Sequence, residues 1–194
     1  FAGVIAHQGN FKGSALRGSD FSGADLTGSL FSGSDVREAN FDRANLTDCK
    51  FSSSDLGGAS FRESILVRTN FSTSGLDGAT FIGVKLTDVK FNSTDLRKTT
   101  FERCTFLGVD FHSSDLSGLR LDGQTFLGVT FDLPALKDVS FQGATLRNVS
   151  FRPVGLWSLK RAIQSLHFDG AMMDKLTYAA LKGLGADVSK VTVL

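Results

Sequence analysis

The sequence predicts an all-β solenoid, a rod of stacked coils whose chain turns a corner every five residues. Three observations carry this. Phe occupies positions 1, 11, 21 and onward to 151, filling 15 of the 16 places on a ten-residue lattice, with Leu121 the exception. Halfway between stand Leu16, Leu26, Val36, Leu46, Leu56 and their successors to Leu156, with Phe106 and Phe126 among them, so the true period is five. Two residues before each large residue lies a small one, such as Ser14, Ala24, Ser34, Ala44, Cys49 and Ser54, giving way later to Val84, Val89, Val109 and Val129.

Elementary geometry rejects the simpler elements. On an α-helix a step of five swings successive Phe by roughly 140° and smears them round the cylinder. On a flat strand an odd step sends alternate members to opposite faces. A corner every five residues turns all of them inward and lets stacked coils pair their backbones. The other three places of each unit hold mainly Gly, Ser, Asp, Asn, Thr, Lys and Arg, as turns and solvent-facing positions require.

Composition narrows the function. Lys plus Arg number 21 and Asp plus Glu 20 in 194 residues, so there is no long-range field to attract nucleic acid or an anionic membrane. No apolar stretch reaches the length of a membrane span, and no signal-peptide pattern opens the chain, although a leader removed before Phe1 is left open. Cys49 and Cys104 are too few and too far apart for a disulfide framework or a metal site, which points to a reducing, cytoplasmic setting. Both lie on the small inward lattice and read as buried fillers.

The units Ala-Asp-Leu at 24–26, Ala-Asn-Phe at 39–41, Ala-Asn-Leu at 44–46 and Ser-Asp-Leu at 54–56 and 114–116 resemble the pentapeptide-repeat family. The resemblance covers residues 1–156. It implies a right-handed quadrilateral β-helix with four units per coil, so that positions twenty apart stack and the 32 units from Phe1 to Leu156 make about eight coils. At a strand spacing of ~4.8 Å the rod is roughly 35–40 Å long. Leu121 and Phe126 fall in one coil, an exchange that conserves aromatic volume as a close-packed interior requires.

After Leu156 the lattice stops, and residues 157–194 read as a short α-helical C-terminal cap. Leu159, Ile163 and Leu166 have helical spacing over 157–167, a repeat-like stretch follows at 168–172, and a second helix is expected over 174–184, with Asp174 as N-cap and Gly185 at its end. Val188 to Leu194 can close the rod as a strand. A solenoid needs such a cap to cover its last open coil. The resemblance adds an alternative, in which Trp157, Leu159, Ile163, Leu166, Met172, Met173, Leu176 and Tyr178 form a two-fold homodimer interface, as in gyrase-targeting members.

No constellation for catalysis, metal or cofactor binding emerges. His7 and His167 are isolated, and His112 beside Ser113, Ser114 and Asp115 reads as a solvated histidine rather than part of a triad. Stacking every twenty residues does reveal one charged face. Asp35, Asp55, Asp95 and Asp115 form an acidic file interrupted by Gly75, and Arg17, Arg37, Arg97 and Lys137 run beside it. This is either a self-neutralised, solvated surface or a partner-binding face that presents charge as a nucleic-acid backbone does.

Two functions follow. The preferred one is a non-enzymatic, rigid protein-interaction scaffold. The alternative, implied by the resemblance, is a DNA-mimicking protein that binds gyrase or another type II topoisomerase and confers fluoroquinolone or topoisomerase-poison resistance. Charge weighs against the alternative, since residues 1–156 carry 17 acidic and 16 basic side chains where a DNA mimic should be strongly negative. Neither reading requires direct contact with nucleic acid or membrane.

Overall fold

The computed structural model describes residues 1–152 and 161–194. Parallel bridges link Ile5 to Asp25, Asn10 to Leu30, Ala15 to Asp35 and Asp20 to Asn40, one on each side of the coil, and recur every twenty residues. The result is the right-handed quadrilateral β-helix that the five-residue period and the resemblance imply. Its four walls are named here in chain order. The first has Phe21, Phe41 and Phe61 inward, the second Leu26, Leu46 and Leu66, the third Phe31, Phe51 and Phe71, and the fourth Val36, Leu56 and Leu76.

Where side chains favour extended backbone, the bridges lengthen into three-residue strands. These are β1 (Ile65–Val67), β2 (Thr80–Ile82), β3 (Lys85–Thr87), β4 (Thr100–Glu102), β5 (Thr105–Leu107), β6 (Thr125–Leu127), β7 (Thr130–Asp132), β8 (Thr145–Arg147) and β9 (Ser150–Arg152). Two shorter strands follow, β10 (Met172–Met173) and β11 (Thr192–Val193). The second wall gathers β1, β3, β5, β6, β8, β10 and β11 into one seven-stranded parallel sheet, whereas the first and third walls form only the pairs β2–β4 and β7–β9. Thr opens six of the nine three-residue strands, in keeping with β-branched preference for a pleated surface.

The lattice residues fill the interior. Phe21, Phe41, Phe61, Phe81 and Phe101 stack along the first wall at 4.7–5.2 Å between ring centroids. Phe11 to Phe151 stack likewise along the third, and the two columns meet edge to face, as Phe61 and Phe71 do at 5.5 Å and 82°. Each buried ring contributes about 1.5–3 kcal/mol. The Leu121 exchange is accommodated by Phe126, which stacks on Phe106 at 4.6 Å and 6°. Beside it, Gln124 occupies a position held elsewhere by small residues. It is buried, and its amide accepts from the Cys104 N–H at 2.5 Å and donates to the Asp122 carbonyl at 2.9 Å.

Two hydrogen-bond rules hold the coils in register. Inward Ser, Thr and Cys donate to the carbonyl 23 residues earlier, in the coil below: Ser54 to Phe31 at 2.5 Å, Thr69 to Leu46 at 2.9 Å, Ser74 to Phe51 at 2.6 Å and Cys49 to Leu26 at 2.9 Å. Asp or Asn immediately before a large residue accepts from the backbone N–H two positions on and so closes the corner, as Asp20 does for Ser22 at 2.9 Å and Asn45 for Thr47 at 3.1 Å. The second residue after each large inward one is a left-handed corner from Gly3 to Asn148, even where it is Thr73 (φ 58°) or Leu133 (φ 56°). Lys98 alone among the described corners lacks a positive φ, and there the Gly78 N–H reaches the Lys98 carbonyl at 3.1 Å.

The ladder continues beyond the regular lattice. Met172 pairs with Thr145, a separation of 27 residues instead of twenty, and Thr192 pairs with Met172 at twenty again. Phe168 stacks on Phe141 at 5.5 Å and 10°, extending the first-wall column. Residues 161–164 are helical, and a second helix spans Lys175–Gly183. Asp174 caps that helix by accepting from the Leu176 and Thr177 N–H groups, both at 2.9 Å, and Gly185 follows its end at φ 88°. No helix among the described residues is long and apolar enough to cross a membrane.

Candidate functional site: the charged and uncharged walls

The structure brings the predicted acidic file together on the fourth wall. Bridges join Asp35 to Asp55, Asp55 to Gly75, Gly75 to Asp95 and Asp95 to Asp115. Each carboxylate is already engaged by the fold. Asp35, Asp55, Asp95 and Asp115 accept from the N–H groups of Arg37, Gly57, Arg97 and Ser117 at 2.9–3.2 Å, each closing its own corner.

The basic file engages what remains. Arg37 grips Asp35 side-on through Nε at 2.8 Å and Nη2 at 2.5 Å, with Nε also 3.5 Å from Asp55. Three coils on, Arg97 repeats the arrangement on Asp95 at 3.0 and 2.6 Å and lies 3.4 Å from Asp115. Planar guanidinium suits this bidentate geometry, which an ammonium could not reproduce. Arg17 turns away to Glu38 at 2.6 Å, and Lys98 reaches Asp77 at 2.9 Å. The guanidinium beside Asp35 holds its carboxyl down at about 2, and Arg97 likewise lowers Asp95. Gly75 leaves a shallow hollow of about 220 Å³ lined by Asp77, Asp95, Arg97 and Lys98, whose charges are paired with one another.

His7, His112 and the two cysteines are likewise committed. His7 faces Asp25 at 3.0 Å and His112 faces Asp132 at 3.1 Å. The Thr27 hydroxyl, then His7, holds the Asp25 carboxyl down at about 2. Ser114, beside His112, points into the core and donates to the Phe91 carbonyl at 2.5 Å. Burial pushes the Cys49 thiol up to about 12 and raises that of Cys104. Among the described residues no group of His, Cys, Asp or Glu could hold a metal ion.

At the C-terminal end, Ile163, Leu166 and Met173 are buried and close the core. Tyr178 packs partly against them, while Met172 and Leu176 face outward, Leu176 being 79% exposed. Trp157 and Leu159 lie outside the described residues.

Sequence reasoning missed the second wall, because its signal is a lack of charge. From β5 to β8 its outward residues are Thr105, Leu107, Thr125, Leu127 and Thr145, and only Arg147 at the end of β8 brings a charge. Between Arg103 before β5 and Asn148 after β8 the flanking corners are Gly108, Gly123, Gly128 and Gly143, so little rises above the sheet there. Stacking the sequence every twenty residues would have shown this surface, had the neutral files been read with the charged ones.

Comparison with known proteins agrees with the architecture. No curated protein matches the chain in sequence. Similar solved structures include HetL, a pentapeptide repeat protein involved in heterocyst differentiation regulation from the cyanobacterium Nostoc sp. strain PCC 7120, at 19% identity over 87% of this chain and 75% of that one, with a TM-score of 0.47. A pentapeptide repeat protein from the Arabidopsis thaliana thylakoid lumen is 27% identical over 66% and 69%, with a TM-score of 0.35. QnrB1, a plasmid-mediated fluoroquinolone resistance protein, is 18% identical over 94% and 97%, with a TM-score of 0.36. Likeness at this level assigns no partner. The model of the pentapeptide repeat region, however, matches residues 4–81 and 79–151, and with the twenty-residue register and the Phe and Leu columns it establishes that this chain belongs to the pentapeptide-repeat family.

Proposed function

We propose that the chain is a non-enzymatic, rigid binding rod that presents a wall of its β-helix to a protein partner in a reducing, cytoplasmic setting. The observation that carries this reading is the allocation of its polar groups. Core hydroxyls and thiols donate to the coil below, corner carboxylates accept from corner amides, and Arg37 and Arg97 lie on those same carboxylates. Such a surface supplies shape and rigidity rather than a reactive centre or a counter-ion for nucleic acid. The alternative, a gyrase-directed DNA mimic, needs carboxylates free to stand in for phosphates, and Arg37 and Arg97 work against it.

The test is affinity capture on the full chain from nuclease-treated host extract, run beside a gyrase supercoiling assay with and without a fluoroquinolone. The expected outcome is a stoichiometric protein partner, retained after nuclease treatment, with no effect on supercoiling. Inhibition of gyrase or rescue from drug-induced cleavage would instead establish the DNA-mimic reading, and retention of nucleic acid alone would overturn both.

A further inference from the structure

We propose that the second wall is a self-association surface, joining two copies of this chain side by side about a two-fold axis parallel to the rod. This is separate from the capture of another protein proposed above, and it engages the second wall up to β8 rather than the C-terminal helix that carries Leu176.

The argument begins with what such an axis does. It exchanges the two edges of the wall while keeping each coil at its own level. The outward Thr row (Thr105, Thr125) of one copy then lies over the outward Leu row (Leu107, Leu127) of the other, small against large at each level. The glycine corners beside this patch let the two sheets approach.

Charge supplies the independent observation. The corner before the wall carries Arg43, Glu63 and Arg103 in the third, fourth and sixth coils, and the corner after it carries Asp48, Arg68 and Asp88 in the third, fourth and fifth. Asp48 and Arg68 already pair with each other within the chain, both contacts at 2.7 Å, and exchanging the edges sets Arg43 against this Asp48 and Glu63 against this Arg68, so that the four side chains alternate in sign around one cluster. Asp88 leans one coil forward, for a Cβ added at Gly108 would fall 2.6 Å from its Oδ1, and this brings its carboxylate to the level of Arg103 of the other copy. Lys85 and Arg147 then face Thr87 and Thr145, so no like charges coincide. The opposite orientation, antiparallel and centred on the same apolar patch, keeps Leu over Leu and brings Lys85 to the Arg147 end. Opposite signs at each occupied level under a single symmetry operation are what an isologous interface requires. Six coils at ~4.8 Å and a wall of about 17 Å bury roughly 500 Å² per copy, near 1,000 Å² in total, which fits a dimer of micromolar affinity.

Sedimentation of the full chain from ~1 to ~200 µM tests this, with a concentration-dependent dimer expected. Leu107→Arg with Leu127→Arg should give a monomer throughout that range while leaving the melting temperature near that of the parent. Arg103→Asp should weaken the dimer about tenfold, and adding Asp88→Arg to the same chain should restore it to within about threefold. A parent chain that stays monomeric at the highest concentration overturns the proposal. So does a dimer indifferent to the Leu substitutions but abolished by Leu176→Arg, which would place the contact at the C-terminal end, and so does failure of the paired charge swap to restore association.

Discussion

The second and fourth walls share one backbone plan and one interior, and differ in what stands outside. The fourth carries most of its charge in two adjacent files, yet each Asp of the acidic file closes a corner and each bidentate Arg lies across it. The second is uncharged from Thr105 to Thr145 and is the only wall on which the ladder runs as one sheet from β1 to β11 among the described residues. A conspicuous charge pattern in a repeat protein can therefore be spent on the fold, while the surface left available is the plain one.

The largest expected effect lies behind both walls. Phe71 is buried between Phe51 at 5.2 Å and Phe91 at 5.4 Å. Phe71→Asp should abolish soluble, folded protein, because it removes a stacked ring and buries an unpaired carboxylate. Circular dichroism and a melting curve check this, and the same Asp placed outside at Leu107 should leave folding intact. If both variants melt alike, the assignment of inward and outward files is wrong.

A smaller effect separates the two roles of a fourth-wall carboxylate. Asp95→Ala loses the acceptor for the Arg97 N–H and should cost about 0.5–1 kcal/mol in chemical denaturation. Asp95→Asn keeps a corner acceptor and should cost less than half of that, since the exposed ion pair adds little. Equal costs would mean that charge, not corner closure, is what Asp95 contributes.

The inward lattice and the small positions were legible in the sequence, because a corner every five residues turns every Phe inward, and the stacking of the charged files followed from the four units per coil that the family resemblance implies. The roles of the charged residues were not. A run such as Ser54-Asp55-Leu56 shows that Asp55 is outward, but only coordinates show its oxygen on the Gly57 N–H and the Ser54 hydroxyl on the Phe31 carbonyl, 23 residues away. Gln124 breaks the small-residue rule for the same kind of reason, its amide serving the backbone of the preceding coil. The 27-residue step before Met172 also escaped notice, since Phe168 follows Leu156 by twelve residues and so falls off the five-residue count.

The smallest effect concerns the corners. Thr73 is a β-branched residue held at φ 58° on the surface. Thr73→Gly should relieve this, offset in part by the greater chain entropy of Gly, and raise stability by a few tenths of a kcal/mol, read as a slightly higher melting temperature. A fall would mean that its hydroxyl contacts with Ser53 and the Ser72 carbonyl outweigh the backbone cost.

The central claim, that the fourth-wall carboxylates are consumed by the fold, is tested most directly by titrating the Asp side chains in the full chain by NMR. Asp35 should titrate at about 2, held there first by the Arg37 guanidinium, and Asp95 should also lie below the ordinary carboxylate value. Because these folded values lie below the unfolded one of about 3.9, their stabilisation is complete above that pH and is lost as pH falls toward about 2. The melting temperature should therefore hold steady down to about pH 5 and drop below about pH 4. Ordinary values for Asp35 and Asp95, with no acid loss of stability, would contradict the account and return the acidic file to the surface as free charge.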